Sequence, residues 1–249
     1  MALDLVFTGE ISRTQPQAGI DHTESGAMRM SRYDEPYMLQ SMSSKHVVSD
    51  EGAYFTGMNG TIGTGLAYGV ITAHSDTASM FILHNNSALG DPMAKRVYLD
   101  YIKIVPTVAP ASATSGQYAL RIDSTTRAPT ANSVQITPYN PNMDSSSPTV
   151  ARLWAASGGT LTTPASSGAV RNVARGCIRS VIPAIGDELV IACGVQDIPG
   201  GVSGANARVV SNAAPIILGP QQYLQVSVWF PANAVTALSY EFDMGWWER

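Results

Sequence analysis

An all-β fold, a two-sheet antiparallel β-sandwich of jelly-roll-like form with an extended N-terminal arm, is what the sequence predicts. Three observations carry the prediction. Beyond Pro36 short runs rich in β-branched and aromatic residues succeed one another without a helical period. Clusters of Gly, Pro, Asn and Ser bound each run. No period of about 20–50 residues recurs, which sets aside propellers and solenoids. A chain of 249 residues is long enough to bury a full core, and sandwiches of this size often form one domain. The expected division is therefore an arm over residues 1–36 and a single β-sandwich domain over residues 37–249.

From Met1 to Pro36 the sequence is polar and irregular, with Gly, Ser, Thr, Gln and Pro breaking every period. Met28, Met30, Tyr33 and Tyr37 give this arm apolar anchors, so it is expected to lie across a neighbouring subunit or to remain a loose end. The first run of the domain, Met38 to Val48, reads as a strand, followed by Leu66 to Ile71 and Ser79 to Asn85. In Lys95 to Val105, alternation places Leu99, Tyr101 and Lys103 on one side and Asp100, Ile102 and Ile104 on the other. Further strands are expected over Gly116 to Asp123, Ser133 to Thr137, Thr149 to Trp154, Val170 to Ile182, Glu188 to Cys193, Tyr223 to Phe230 and Ser239 to Trp247. That makes about ten to twelve strands in all. Long polar loops, Pro106 to Gly116, Pro138 to Pro148 and Ser157 to Gly168, separate them. The last third supplies most of the apolar bulk; in Leu224 to Phe230, Leu224, Val226 and Val228 alternate with Gln225 and Ser227.

Only 14% of residues are charged, so the exterior is neutral and rich in hydroxyls, a surface that repels its own copies weakly and favours assembly. A net charge of −4 with 15 scattered Lys and Arg offers no basic stripe for phosphates, which argues against nucleic acid as a partner. No apolar stretch is long enough to span a bilayer, and the N-terminus lacks the basic flank of a cleaved signal, so no membrane partner is expected and synthesis in a cytoplasm is. Cys177 and Cys193 each sit in an apolar run and read as small buried thiols of a reducing compartment.

The search for chemistry yields no catalytic, cofactor or metal site. His22, His46, His74 and His84 are too widely spaced for a short metal signature; His84 is expected at a strand edge, bonded to a loop. The glycine-rich stretch Gly57 to Gly69 lacks a closing Lys-Ser or Lys-Thr and a βαβ setting, so its glycines are assigned to turns or bulges. No Gly-x-Ser-x-Gly elbow occurs. The acidic pairs Asp34-Glu35, Asp50-Glu51 and Asp187-Glu188 point to opposite faces where extended and read as loop charges. Asp144, Asp187 and Asp197 are loop carboxylates of the kind calcium uses, without a calcium-loop signature. Trp154, Trp229, Trp246 and Trp247 would serve as an aromatic platform or as core; Trp229 is assigned to the core. In Trp246-Trp247, neighbours on a strand face opposite ways, so one is expected in the core and the other on an intersubunit surface.

The C-terminal runs Ile216 to Pro231 and Leu238-Ser-Tyr-Glu-Phe-Asp-Met-Gly-Trp-Trp-Glu-Arg249 resemble the endings of structural proteins of tailed bacteriophages. Gly60 to Ala67 and Tyr98 to Lys103 are also similar to segments of such virion proteins. None of these pieces is a catalytic fingerprint, and no site residue is carried over from them. The resemblance implies a non-enzymatic virion protein: a capsid decoration (cement) protein, or a minor spike, assembled as a homotrimer and bound to the major capsid protein or other virion subunits. Two alternatives remain open at this point. One is a receptor-binding or tail-tip module whose loops contact host glycans, with Tyr139 and Trp154 near the loop edges; the other is a major capsid protein of jelly-roll type.

Overall fold

The computed structural model describes residues 48–59, 61, 63–69, 71–108, 116–124, 127–179, 185–194, 207–212, 215–231 and 238–249. The expected arm, His22 and His46, the pair Asp34-Glu35, Asp197, and all of the strand expected from Met38 except Val48 lie outside these residues. Val48 itself opens a single helical turn over 48–50.

The described residues fall into two compact units. The smaller contains residues 48–54 and Asn140–Ser147. Its loop is laced by asparagine side chains: Asn140 Nδ2 donates to Gly52 O at 2.7 Å, and Asn142 Nδ2 donates to Asp50 O at 3.2 Å. These local bonds satisfy backbone that has no sheet to pair with.

In the larger unit, Phe55–Tyr139 with Pro148–Arg249, the regular secondary structure of the described residues is all strand. In chain order the strands are β1 (Tyr54–Met58), β2 (Leu66–Tyr68), β3 (Ala78–Ser79), β4 (Phe81–Asn85) and β5 (Val97–Val108). Next come β6 (Gly116–Asp123), β7 (Ser133–Ile136), β8 (Ala151–Ala156), β9 (Leu161–Thr162) and β10 (Val170–Arg179). The last are β11 (Glu188–Cys193), β12 (Ala207–Asn212), β13 (Ile216–Leu218), β14 (Tyr223–Trp229) and β15 (Leu238–Glu248). A seven-stranded sheet runs β1-β15-β5-β11-β12, with β13 also on β5 and β2 on β15; a six-stranded sheet runs β10-β6-β14-β4-β8-β7. β3 and β9 form a separate two-stranded ribbon, β9 inside the loop expected over Ser157 to Gly168 and β3 at the start of the strand expected over Ser79 to Asn85. The registered pairs are antiparallel except β11 with β12, which is parallel and departs from the expected purely antiparallel sheets.

Both large sheets feed one hydrophobic cluster. From the seven-stranded sheet come Leu99, Ile102, Ile104, Tyr240, Phe242, Met244 and Trp246; from the other come Phe81, Leu83, Leu120, Leu224, Val226 and Val228. Phe81 packs edge-on against Tyr240 at 5.4 Å and tilted on Phe242 at 4.7 Å. Buried hydroxyls reach backbone oxygens across the core, Tyr68 to Val228 O at 2.6 Å and Tyr240 to Ala156 O at 3.0 Å, which removes the cost of an unpaired phenol.

Two bulges correct the expected alternation of β5. Against β15, Gly245 pairs with Tyr101 and Trp246 with Leu99, so Asp100 is the extra residue. The second extra residue is Thr107, between the pairs of Pro106 and Val108. A bulge shifts the side-chain phase by one, so Leu99 joins Ile102 and Ile104 in the core instead of opposing them. β14 corrects another expectation. Leu224, Val226 and Val228 do face the core, but Gln225 and Ser227 are buried as well. Gln225 Nε2 donates to Ser79 Oγ at 2.7 Å and Asp76 O at 2.9 Å, and Ser227 Oγ donates to Ala78 O at 3.1 Å.

The glycine-rich stretch splits into two kinds of position. Gly63 sits at φ +82°, a turn conformation that glycine accepts without strain. Gly57 instead lies inside β1, where an added Cβ would stand 2.5 Å from Leu153 Cδ2 and 3.5 Å from the Trp246 ring. Because Leu153 and Trp246 are fully buried, there is no space to yield. Gly57→Ala is expected to destabilise the unit by about 1–3 kcal/mol, read as a lower urea midpoint at unchanged m-value.

Candidate functional site

On the outer face of the six-stranded sheet, β6, β14 and β4 present polar residues in register: Asp123 opposite Tyr223 opposite His84, then Arg121 opposite Gln225 opposite Ile82. Arg127 is fully buried beside them. Its Nε donates to Asp123 Oδ2 at 2.7 Å, its Nη2 to Asp76 Oδ1 at 3.0 Å, and its Nη1 to Asp76 O and Pro164 O. Arg121 Nη1 lies 2.7 Å from the same Asp76 oxygen, and Ser166 N–H donates to Asp76 Oδ2 at 2.8 Å. Burial by itself would raise the Asp76 carboxyl, but Arg127, Ser166 and Arg121 outweigh it and hold it well below the usual carboxylate range. Arg127 and Arg121 tie three segments together, Arg121 through Nη1 while its Nε is buried without a hydrogen-bond partner, and this network is a clasp.

His84 lies in the same face. Its ring stacks on Tyr223 at 3.9 Å and is nearly parallel to Trp154 at 6.3 Å. Burial, helped by the charge of Arg152 and opposed by the hydrogen bond that the ring donates to Gln221, pushes its pKa down to about 4. The expected bond to a loop is present in Gln221, which lies in the turn before β14, but β4 is an inner strand and the ring sits within a packed polar face, not at a sheet edge. A base whose folded pKa is below its unfolded value of about 6.5 takes up its proton first in the unfolded chain. Stability is complete above pH 6.5, falls as the pH drops from 6.5 to about 4, and is flat below. The loss is about 3 kcal/mol, measured as a falling denaturation midpoint across that window. His84→Gln should flatten most of it; an unchanged slope would place the histidine's proton elsewhere. His74, lowered by burial and by Arg121, adds in the same direction.

Trp229 is not in the core as expected. It is half-buried on the outer face, paired with Gln117, and meets His74 edge-on at 5.4 Å. Trp154 is half-buried and packs against the core cluster. Cys177 on β10 and Cys193 on β11 are not joined in a disulfide; Cys193 is buried as expected, whereas Cys177 is only half-buried, and burial with nearby Asp100 pushes the Cys193 thiol up to about 12. Asp187 follows the turn at 185–186 and leads into β11, and Asp144 N–H closes an asparagine turn onto Asn142 Oδ1 at 3.1 Å. Among the described residues no three His, Cys, Asp or Glu side chains gather closely enough to hold a metal ion.

The outer face of the seven-stranded sheet differs in kind. Along β15 the inward residues Phe242, Met244, Trp246 and Glu248 are buried, while Glu241, Asp243 and Trp247 look outward and are half-buried. The adjacent tryptophans thus separate as the alternation predicts, Trp246 into the core against Phe55 and Trp247 onto the surface. Register maps the outward residues into rows. At one end Arg249 pairs with Arg96, both exposed. Trp247 then lies opposite Tyr98, which lies opposite Ile217, the two rings parallel with centroids 5.6 Å apart. Tyr101 follows with Ala192, then Asp243 with Lys103 and Val190. At the far end stand Glu241, Val105 and Glu188, the last 2.7 Å from Lys103 Nζ. Tyr101 donates its hydroxyl to Asp243 Oδ2 at 2.9 Å. Among the described residues this face runs from a basic end through aromatic rows to an acidic end that also holds Lys103, and it is the candidate functional surface.

Sequence reasoning missed Glu248, although alternation from Trp246 would have placed it inward. It is 2% exposed, and its Oε1 accepts from Thr149 Oγ1 at 2.5 Å, Ala151 N at 3.1 Å and Trp246 Nε1 at 3.2 Å, while Val150 N donates to Oε2 at 3.0 Å. It anchors the start of β8 to the end of β15.

Comparison with family models, curated proteins and solved structures returns no match.

Proposed function

We propose that the chain is a non-enzymatic structural subunit of a virus particle, a decoration (cement) protein that binds the outside of a phage head and stabilises it. The observation that carries this reading is how the polar residues are used. The buried charges Arg127, Asp123 and Glu248 are consumed in holding strands and loops together, while aromatic and charged residues of both signs are displayed on a sheet face. A frame of that kind works through surfaces. The low charge content and the C-terminal likeness to phage virion proteins supply the particle as its setting. The finer architecture belongs to the same reading: a two-sheet sandwich of jelly-roll type, in which the chain crosses repeatedly between the sheets and β14 inserts between β6 and β4. Residues 1–36 act as the arm that engages neighbouring subunits, and the major capsid protein is the partner.

Quantitative mass spectrometry of gradient-purified particles tests this. The chain should co-purify in a fixed ratio to the major shell protein; loss from the particle band, or recovery only in the soluble fraction, would overturn the reading.

A further inference from the structure

We infer that the outer face of the seven-stranded sheet is the contact by which a second copy of this chain docks, as a two-fold pair. Three properties of the face point to this occupant. Beside its basic end it holds Tyr98, Trp247 and Ile217, with Tyr101 in the middle row, and aromatic side chains with arginine are the residues enriched where protein surfaces meet. Its ends are opposite in charge, Arg96 with Arg249 at one and Glu241 with Glu188 at the other, and between them lie two aromatic rows and one that holds Asp243, Lys103 and Val190. A patch arranged in that order is complementary to itself. Rotation by half a turn about an axis lying in the contact plane, crossing the strands at the Tyr101 row, lays each basic end on an acidic end and sets Tyr98 against Lys103, a cation over an aromatic face, and Ile217 against Val190.

An acidic protein of another kind would satisfy Arg96 but would meet Glu241 and Glu188 with like charge. Nucleic acid would meet the same repulsion and leave Ile217 without an apolar partner. The second copy alone satisfies both ends. Eight residues along β15 at about 3.3 Å each and three strands at about 4.8 Å give roughly 400 Å² per copy. A pair would then bury about 800 Å², below the standard interface size, so the association is weak, about micromolar to tens of micromolar.

This inference is independent of the particle reading: a particle protein that proves trimeric or monomeric in solution overturns the two-fold pair and leaves that reading standing. Sedimentation velocity of the full chain at concentrations from about 1 to 200 µM, chosen to bracket that affinity, decides it. The expected result is a concentration-dependent monomer–dimer equilibrium. Trp247→Ala and Arg96→Glu should each weaken it about tenfold or more, and adding Glu188→Lys to Arg96→Glu should recover part of the loss. Both single sites are at the surface, and unchanged circular dichroism will show that the variants are folded. A monomer throughout the range, a trimer, or a dimer indifferent to both substitutions would contradict the inference. So would dimerisation that appears only after residues 1–47 are removed, because that segment and not a second copy would then be the occupant.

Discussion

Arg127→Met is expected to destabilise the larger unit by about 3–5 kcal/mol, because it strips the guanidinium from Asp123, a carboxylate that is 1% exposed. Arg127 is the centre of the clasp: burial alone would lower its pKa, but Asp76 and Asp123 outweigh that and hold it firmly charged. Its fork reaches four acceptors on three separate segments, Asp123 at the end of β6, Asp76 in the loop before β3, and Pro164 after β9. Lysine has no planar fork, so Arg127→Lys should recover only part of the loss. If burial of an uncompensated carboxylate is the main cost, adding Asp123→Asn to Arg127→Met should restore some stability. Urea denaturation followed by far-ultraviolet circular dichroism reads all three; a change below about 1 kcal/mol in Arg127→Met would mean that the clasp is incidental to stability. Acid should loosen the same region in its own window. The Asp76 carboxyl is depressed below its unfolded value, so its contribution is present above the ordinary carboxylate range and is lost as the pH falls through its folded pKa, below the interval in which His84 acts.

Glu248→Ala is expected to be about as damaging, again about 3–5 kcal/mol, since it leaves the N–H groups of Val150 and Ala151, the Thr149 hydroxyl and the Trp246 indole without their acceptor at once. Orphaned buried donors draw water toward them, so the intrinsic fluorescence should also shift to the red. Glu248→Gln keeps one acceptor oxygen in place and should cost less, about 1–2 kcal/mol. A wild-type-like midpoint in Glu248→Ala would show that these donors find other partners.

The strands were legible in the sequence wherever one face is buried and the other wet, because period two is then written directly in the residue types; β11 and β15 are read almost residue for residue. Legibility failed where burial occurs on both faces or where the phase slips. β14 reads as half-exposed, yet the β3 ribbon buries Gln225 and Ser227 by offering them hydrogen-bond partners, and composition cannot encode a loop folding back over a face. The slip at Asp100 had a signal, a charged residue inside an apolar strand, but a local pattern does not say whether such a residue faces water or forms a bulge. β3 and β9 are two residues each, too short for any period to emerge. Trp229 was misplaced because an apolar neighbourhood in sequence was equated with the core, whereas strand alternation already set it opposite to Val228.

The surface was legible in part. Trp246 and Trp247 separate between core and exterior by alternation alone, but the partners Tyr98, Ile217 and Arg96 come from segments far away in sequence, and only strand register brings them onto adjacent rows. No spacing rule reaches across that distance.

The claim that this protein acts through surfaces as part of a virus particle is tested most directly by a cryo-electron microscopy reconstruction of particles that carry it. Density fitting the two large sheets, seated in regular copies on the outside of the head lattice, is the result expected. A head lattice free of such density, in particles whose protein content includes the chain, would contradict the assignment to head decoration.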